Sequence, residues 1–220
     1  MGKHLLVLGA TGPSGLDFCD AALDSGHSLT VYARNPSKLP GRIAKNPNVA
    51  VIQGQFDDVE GLRNAASCGA DACVSFLGPM IPSWGGSHLV DGYKILIPLL
   101  IEHDVQRALF LSTPSYVVAK DHWSLAWYLA TGLVWLLFNS AWHDVVDCSE
   151  YVASQPTDKL RWTLFRLPNL KSGPAGPAKT AFRGDGNDGW NLDRKTLAIW
   201  VLNEIEQEKW VGEAPIVFNA

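Results

Sequence analysis

The stretch HLLVLGATGPSG, residues 4–15, constrains the fold of this chain more than any other. A short apolar run ends in glycines at 9, 12 and 15, after which Leu16, Phe18, Cys19, Ala22 and Leu23 recur at helical spacing. That pattern reads as strand, turn, helix. Gly9 permits a tight turn, Gly12 lets the backbone approach a pyrophosphate, and Gly15 lets the helix pack closely on its strand. Thr11, Pro13 and Ser14 complete the turn, and the helix N-terminus presents free N–H groups and the positive end of its dipole to phosphates.

The alternation of strand and helix then repeats. SLTVYA and VAVIQG read as strands, residues 59–66 as a helix, ACVSFLG as a fourth strand, residues 88–102 as a long helix and RALFLST as a fifth strand. After an apolar run and a more polar helix over 141–154 come the strand RWTLFRL, a Gly- and Pro-rich loop over 168–189, a helix over 193–208 with Asp193 as N-cap, and APIVF as a closing strand. Strands that alternate with helices predict an α/β fold, a Rossmann-type doubly wound parallel sheet covered on both faces. At 220 residues the chain is expected to form a single domain, with a hydrophobic helical insertion after strand five.

A net charge of -4 leaves no basic stripe for a phosphate backbone, so nucleic acid is not expected as a partner. Cys19, Cys68, Cys73 and Cys148 lack CxxC spacing and read as reduced, buried thiols; with the histidines they offer no metal-ligand spacing, so no metal is expected. HLLVLGA is too short for a secretory leader and runs straight into the glycine turn, which makes a cytoplasmic protein the expectation.

At the end of the second strand an acidic residue would hold both ribose hydroxyls of NAD, whereas here the chain reads YARNPSK. The planar guanidinium of Arg34, assisted by Lys38, suits a 2′-phosphate, so NADP(H) is favoured over NAD. A solvated loop arginine is the alternative. Asp57, in GQFDD, stands where a carboxylate can accept from an adenine amino group; it can equally cap the next helix, a role that Asp58 can also fill.

These residues resemble a family, the atypical short-chain dehydrogenases/reductases with an NmrA-like NAD(P)H-binding domain, which includes flavin and biliverdin reductases. GATGPSG, the arginine after strand two, FLGP after strand four, LFLST, EYVASQPTDKLRWTLFRLPNL and WVGEAPIVFNA carry the likeness over nearly the whole chain. The resemblance implies that Leu77 and Gly78 flank the nicotinamide ribose and that Ser112 and Thr113 line the nicotinamide pocket. The rule that open α/β sheets bind ligands beyond the carboxyl ends of their strands points to the same edge.

Reduction by a nicotinamide needs a proton donor or hydrogen bond at the atom that gains charge. Short-chain enzymes use a Tyr-xxx-Lys pair; Tyr116 and Lys120 have that spacing but follow Ser112 too closely, so Tyr116 is either a donor or a pocket wall and Lys120 a solvated charge. In related atypical members a basic residue lies seven or eight positions ahead of a glutamate before strand six. Counting back from Glu150 reaches His143, a donor or merely a hydrogen-bonded helix-start residue. His88 and His122 have weaker cases. Asp144, Asp147 and Glu150 read as a solvated face, and the RGD at 183–185 as a chance tripeptide.

The run WSLAWYLATGLVWLLFNSAW, residues 123–142, carries no charge and is long enough to cross a bilayer. A crossing there would separate strands five and six, and Lys/Arg anchors are lacking at its flanks. Gly132 and Asn139 suggest breaks, so a helix over 124–138 is expected. The leading reading is a wall over substrate, with Trp123, Trp127, Tyr128 and Trp135 in contact and residues 114–142 and 168–190 as covering segments. Core packing, a dimer face and a shallow membrane-surface contact are the alternatives. The functional expectation is an NADPH-dependent reductase of a small hydrophobic, aromatic carbonyl or enone, catalysed by Ser112, Tyr116 and His143, in a monomer or homodimer without a transmembrane span. A non-redox isomerase, dehydratase or cyclase, or a non-enzymatic NADP sensor, are the other readings.

Overall fold

The computed structural model describes residues 2–79 and 89–220; His88 lies outside them. The chain runs β1 (His4–Leu8), α1 (Pro13–Asp24), β2 (Ser28–Ala33), α2 (Gly41–Ala44), β3 (Val49–Gln53), α3 (Val59–Ala66), β4 (Ala72–Ser75), α4 (Leu89–Glu102) and β5 (Arg107–Ser112). It continues through α5 (Leu125–Leu137), α6 (Asn139–Ala153), β6 (Arg161–Arg166), β7 (Asn169–Lys171), β8 (Ala178–Ala181), β9 (Asn191–Asp193), α7 (Arg194–Gln207) and β10 (Ile216–Asn219). The main sheet has the order β3-β2-β1-β4-β5-β6-β10-β8 and is parallel except for its last pair. The chain therefore starts in the middle of the sheet and reverses direction between β1 and β4, the geometry of a doubly wound α/β domain.

Register and burial explain why the strands read as unbroken apolar runs. Successive side chains of a strand point to opposite faces, and here both faces are covered. Leu5 and Val7 enter a core with Phe18 and Cys19 of α1 and Leu197 and Val201 of α7. Leu6 and Leu8 enter another with Leu62 of α3, Leu96 of α4 and Val152 of α6. Leu5, Leu6 and Val7 are all at 0% exposure, and each such side chain contributes about 1.5–3 kcal/mol through burial. Cys19, Cys73 and Cys148 are buried free thiols held protonated by desolvation, with Cys19 and Cys148 pushed up to about 12; Cys68 is half-buried. A second buried feature ties β5 to α7, where Arg107 Nη2 donates to Glu204 Oε1 at 2.9 Å. Burial dominates this pair, lowering the pKa of Arg107 and raising that of Glu204 despite their mutual attraction.

Two expectations need correction. The Gly- and Pro-rich segment is not one loop, because β8 pairs antiparallel with β10 (Ile216↔Ala181, Phe218↔Lys179) and β7 pairs with β9. Strands of three or four residues carry too little pattern to stand out among turn residues. Asp193 does sit at the N-cap of α7, but its side chain makes no cap hydrogen bond. It accepts instead from Asn219 Nδ2 at 2.7 Å, joining the start of α7 to the end of β10.

The apolar run is helical over Leu125–Leu137 and breaks at Phe138, where α6 begins. Among the described residues no single helix is long and apolar enough to cross a membrane; α5 and α6 together have the length and composition, but they are bent by 115°.

Candidate functional site

The site is built first from backbone. Gly9 has φ +75°, and a Cβ there would lie 2.7 Å from the carbonyl carbon of Phe76. The turn thus presses against the chain leaving β4. A Cβ on Gly15 would lie 2.7 Å from Ala10 Cα, so only glycine lets α1 start this close to the turn. Gly12 occupies the N-cap of α1 with no side-chain cap, Pro13 follows at the first helical position, and the first turn holds no acidic residue. An uncapped helix start with no nearby carboxylate is a site for an anion. Thr11 is half-buried beside it, and Ser14 is buried within the first turn.

The ends of β2 and β3 add side chains to this edge. Arg34 and Lys38 are exposed beyond β2, and among the described residues neither has a carboxylate partner. Asp58 caps α3, accepting from Gly61 N at 3.0 Å. Asp57 is thereby released from capping and stands exposed. The loop between them is held by Tyr32, whose hydroxyl donates to Gln55 O at 2.7 Å; burial, then the charges of Asp58 and Asp57, push that phenol up to about 12. These groups suit the adenosine end of a dinucleotide: the glycine turn and helix start for its pyrophosphate, Arg34 and Lys38 for a 2′-phosphate, Asp57 for an adenine amino group.

Leu77 and Gly78 follow β4 and are half-buried beside the turn. A Cβ on Gly78 would meet Leu111 of β5 at 3.6 Å, so the carboxyl ends of β1, β4 and β5 converge. Ser112, at the end of β5, is fully buried with its hydroxyl 2.7 Å from that of Ser149, which donates to Val145 O. Because Ser149 spends its proton on Val145, Ser112 donates to Ser149 and keeps only lone pairs. Thr113 differs: it is half-buried, and its hydroxyl oxygen accepts from Ser115 N at 3.3 Å, leaving its proton to donate outward.

Tyr116 is half-buried against the core that includes Val152 of α6. Its phenol lies above the usual range, because burial and then the charge of Glu150 disfavour the phenolate. Such a group stays protonated and acts as a donor rather than a base. Lys120 pairs with Glu213 and lies 5.5 Å from the ring of Phe182, so it does not form the lysine half of a Tyr-xxx-Lys pair. His143 is exposed on α6 with its ring packed edge-on against Trp142 at 5.0 Å. Among the described residues no hydrogen bond joins Tyr116, His143 and Ser112. His122 is exposed, and Asp147 and Glu150 lie on the exposed face of α6.

Behind Tyr116 stands a buried network that single residues in the sequence did not signal. Arg166, at the end of β6, donates from Nη1 to Asp121 Oδ2 at 2.6 Å and from Nη2 to Oδ1 at 2.8 Å, and Nη1 also donates to Tyr116 O at 2.9 Å. Asp121 accepts further from Val118 N and Arg183 N. Burial would raise the pKa of Asp121, but the hydrogen bonds and charge of Arg166 and these N–H groups hold it below the ordinary carboxylate range. Arg183 reaches Pro114 O at 3.1 Å. The RGD tripeptide is thus a structural corner that locks the loop after β8 to the loop after β5.

Of the aromatic residues expected over substrate, Trp127 is buried, donates to Asp188 and stacks on Trp190 at 4.0 Å. Trp123, Tyr128 and Trp135 are instead 80%, 66% and 49% exposed. Core packing therefore accounts for Trp127 alone. A cavity of about 510 Å³ lies between β8 and α7, lined in part by Lys179, Trp200, Lys209 and Trp210, and shares no residue with the strand edge just described.

Comparison with known proteins shows the family and the fold. The family model described as NAD(P)H-binding matches residues 9–208. No curated protein matches the chain. Among solved structures, a short-chain dehydrogenase/reductase from Veillonella parvula in complex with NADP is 17% identical with a TM-score of 0.80, covering 100% of this chain and 95% of its own. The oxidoreductase ylbE from Lactococcus lactis is 16% identical with a TM-score of 0.76, covering 99% and 91%. ChuY, an anaerobilin reductase from Escherichia coli O157:H7, is 15% identical with a TM-score of 0.73, covering 98% and 97%. At these identities the shared property is the fold.

Proposed function

The chain belongs to the NAD(P)H-binding family, and from that premise we propose that it is an NADPH-dependent reductase of a small hydrophobic carbonyl or enone. The observation that carries the reading is the half-buried Tyr116, which follows β5 and whose backbone N–H donates to Thr113 O, just past the strand whose Leu111 meets Gly78 near the glycine turn. The choice of NADPH rests on Arg34 and Lys38, which have no carboxylate partner among the described residues, and is supported by the NADP in complex with the Veillonella parvula protein.

Gly9, Gly12 and Gly15, with Thr11, Pro13 and Ser14, hold the pyrophosphate; Arg34 and Lys38 hold the 2′-phosphate and Asp57 the adenine; Leu77, Gly78 and Thr113 flank the nicotinamide end. When bound, NADPH supplies a hydride. Tyr116 donates its proton, or a hydrogen bond, to the acceptor oxygen as charge develops there, and Thr113 donates a second hydrogen bond. Ser112, committed to Ser149, ties the end of β5 to α6. His143, exposed on α6 against Trp142, is a second candidate donor, and His143→Gln tests it in the NADPH-oxidation assay. The half-buried Leu77 and Leu111 beside Gly78 favour a hydrophobic acceptor.

The test is NADPH oxidation against a panel of quinones, flavins and conjugated ketones. Turnover with at least one, lowered about 100-fold or more in kcat by Tyr116→Phe, supports the reading; absence of turnover with the whole panel sinks it. The engagement of Lys120 with Glu213 favours one other reading, acid–base isomerisation or dehydration on the same fold. Product formation that continues without any nicotinamide identifies that case.

A further inference from the structure

We propose that α5 is a membrane-surface arm that buries itself in one leaflet of a neutral, zwitterionic lipid layer without crossing it. Three observations carry this, none of which depends on the reductase reading. Exposure comes first. Of the side chains of α5 only Trp127 is buried, while Leu129, Leu133 and Leu136 are 61%, 55% and 68% exposed.

The distribution of that exposure identifies the partner. At 100° per residue, Trp135, Tyr128, Leu136, Leu129, Leu133 and Leu137 follow one another around about 200° of the helix. A second copy packing along one side of a 13-residue rod, about 20 Å long and 10 Å wide, covers on the order of 300 Å². Stable interfaces bury about 800 Å² per partner, and a copy on one side leaves the opposite leucines in water. A lipid layer surrounds the arm and covers the whole arc at once.

Charge is the third observation. Residues 123–142 contain no Asp, Glu, Lys or Arg, so the arm lacks the polar rim of a protein interface. Its exposed aromatic residues, Trp123, Tyr128, Trp135 and Phe138, are the types that settle at a lipid–water boundary. Polar chemistry resumes at both ends, with Asp121 and His122 before the run and His143, Asp144, Asp147 and Glu150 after it. The 115° bend between α5 and α6 turns the polar helix away from the arm's axis, which limits the depth of insertion. The exposed acidic residues of α6 beyond the run and a net charge of -4 repel anionic lipid, so the attraction is hydrophobic and favours neutral headgroups. Trp127, bonded to Asp188 and stacked on Trp190, holds the root, so the arm is presented already folded.

The experiment is flotation of the full chain with phosphatidylcholine vesicles, alongside the triple variant Leu129→Glu, Leu133→Glu, Leu136→Glu. These three side chains lie outside the core, and an unchanged circular-dichroism melt checks that the variant folds. The wild-type chain is expected to float equally in 0.15 M and 1 M salt, between which the Debye length falls from about 8 Å to about 3 Å, and the variant to lose at least about 100-fold in partition. A wild-type chain that stays in the aqueous fraction overturns the proposal. So does a dimer, seen by light scattering in the absence of lipid, that the triple variant splits, because the arm's partner is then a second copy.

Discussion

The turn after β1 and the α5 arm are both short on charge, yet they are built on opposite terms. In the turn, backbone presses on backbone: Gly9 lies against Phe76 and Gly15 against Ala10, with no room for a methyl group. In the arm the side chains meet almost nothing, and a Cβ on Gly132 would find open space. A ligand that touches main chain needs every atom of its cradle in place, whereas a surface that meets lipid needs only apolar area. The chain thus tolerates almost no change at the turn and many changes along α5.

The junction between the two is the buried Arg166–Asp121 pair, and breaking it should have the largest effect. Asp121→Ala leaves the guanidinium of Arg166 without a counter-charge and is expected to cost about 3–5 kcal/mol, read from urea unfolding. Next comes the turn itself: Gly15→Ala should cost up to about 3 kcal/mol through overpacking and weaken NADPH binding in calorimetry. Arg34→Ala should spare stability but raise the Kd for NADPH about 10–30-fold, a loss of about 1.5–2 kcal/mol, with NADH binding unchanged. An equal loss for both cofactors would show that Arg34 does not read the 2′-phosphate.

A smaller effect is expected from pH. The pKa of Asp121 is depressed in the folded chain, so its contribution is complete above the ordinary carboxylate range and is lost as pH falls through the lower folded value. Glu204 is shifted the other way, raised by burial, so its contribution favours folding below the ordinary glutamate value and fades as pH rises through the raised one. Denaturation curves of Asp121→Asn should therefore lose the acid-side dependence, while Glu204→Gln should flatten the stability profile just above the usual carboxylate range. At the arm the expected effect is the smallest: Leu136→Ser should change stability in solution by no more than about 0.5 kcal/mol. A larger loss would mean that α5 packs on the domain more than its exposure indicates.

Much of the fold was legible because it rests on local pattern. The strands covered on both faces read as unbroken apolar runs, and α3 and α5 fall within a residue of their expected limits. β7 and β8 were hidden, since their pairing partners lie far along the chain and their own residues carry no period. At the candidate site the backbone part was legible for the same reason, glycines being informative wherever atoms come close. The side-chain part was not. Nothing in SEYVA announces that Ser149 takes the proton of Ser112, nothing around YVVAKDH that Lys120 turns to Glu213, and the RGD at 183–185 gave no sign of reaching Asp121.

By itself the amino-acid sequence determined the doubly wound sheet, the glycine turn that marks the NAD(P)H-binding family, and the presence of a long uncharged helical run after strand five. Only the tertiary structure decided what faces what: that Ser112 is committed to Ser149, that Asp121 and Arg166 hold the loop after β5, and that α5 stands in the open instead of filling a core. The physical reason is the range of the interactions involved. Periodicity and turn chemistry act between near neighbours in the chain and leave a trace in it, whereas hydrogen-bond partners and exposure depend on residues brought together across 37, 45 or 93 positions.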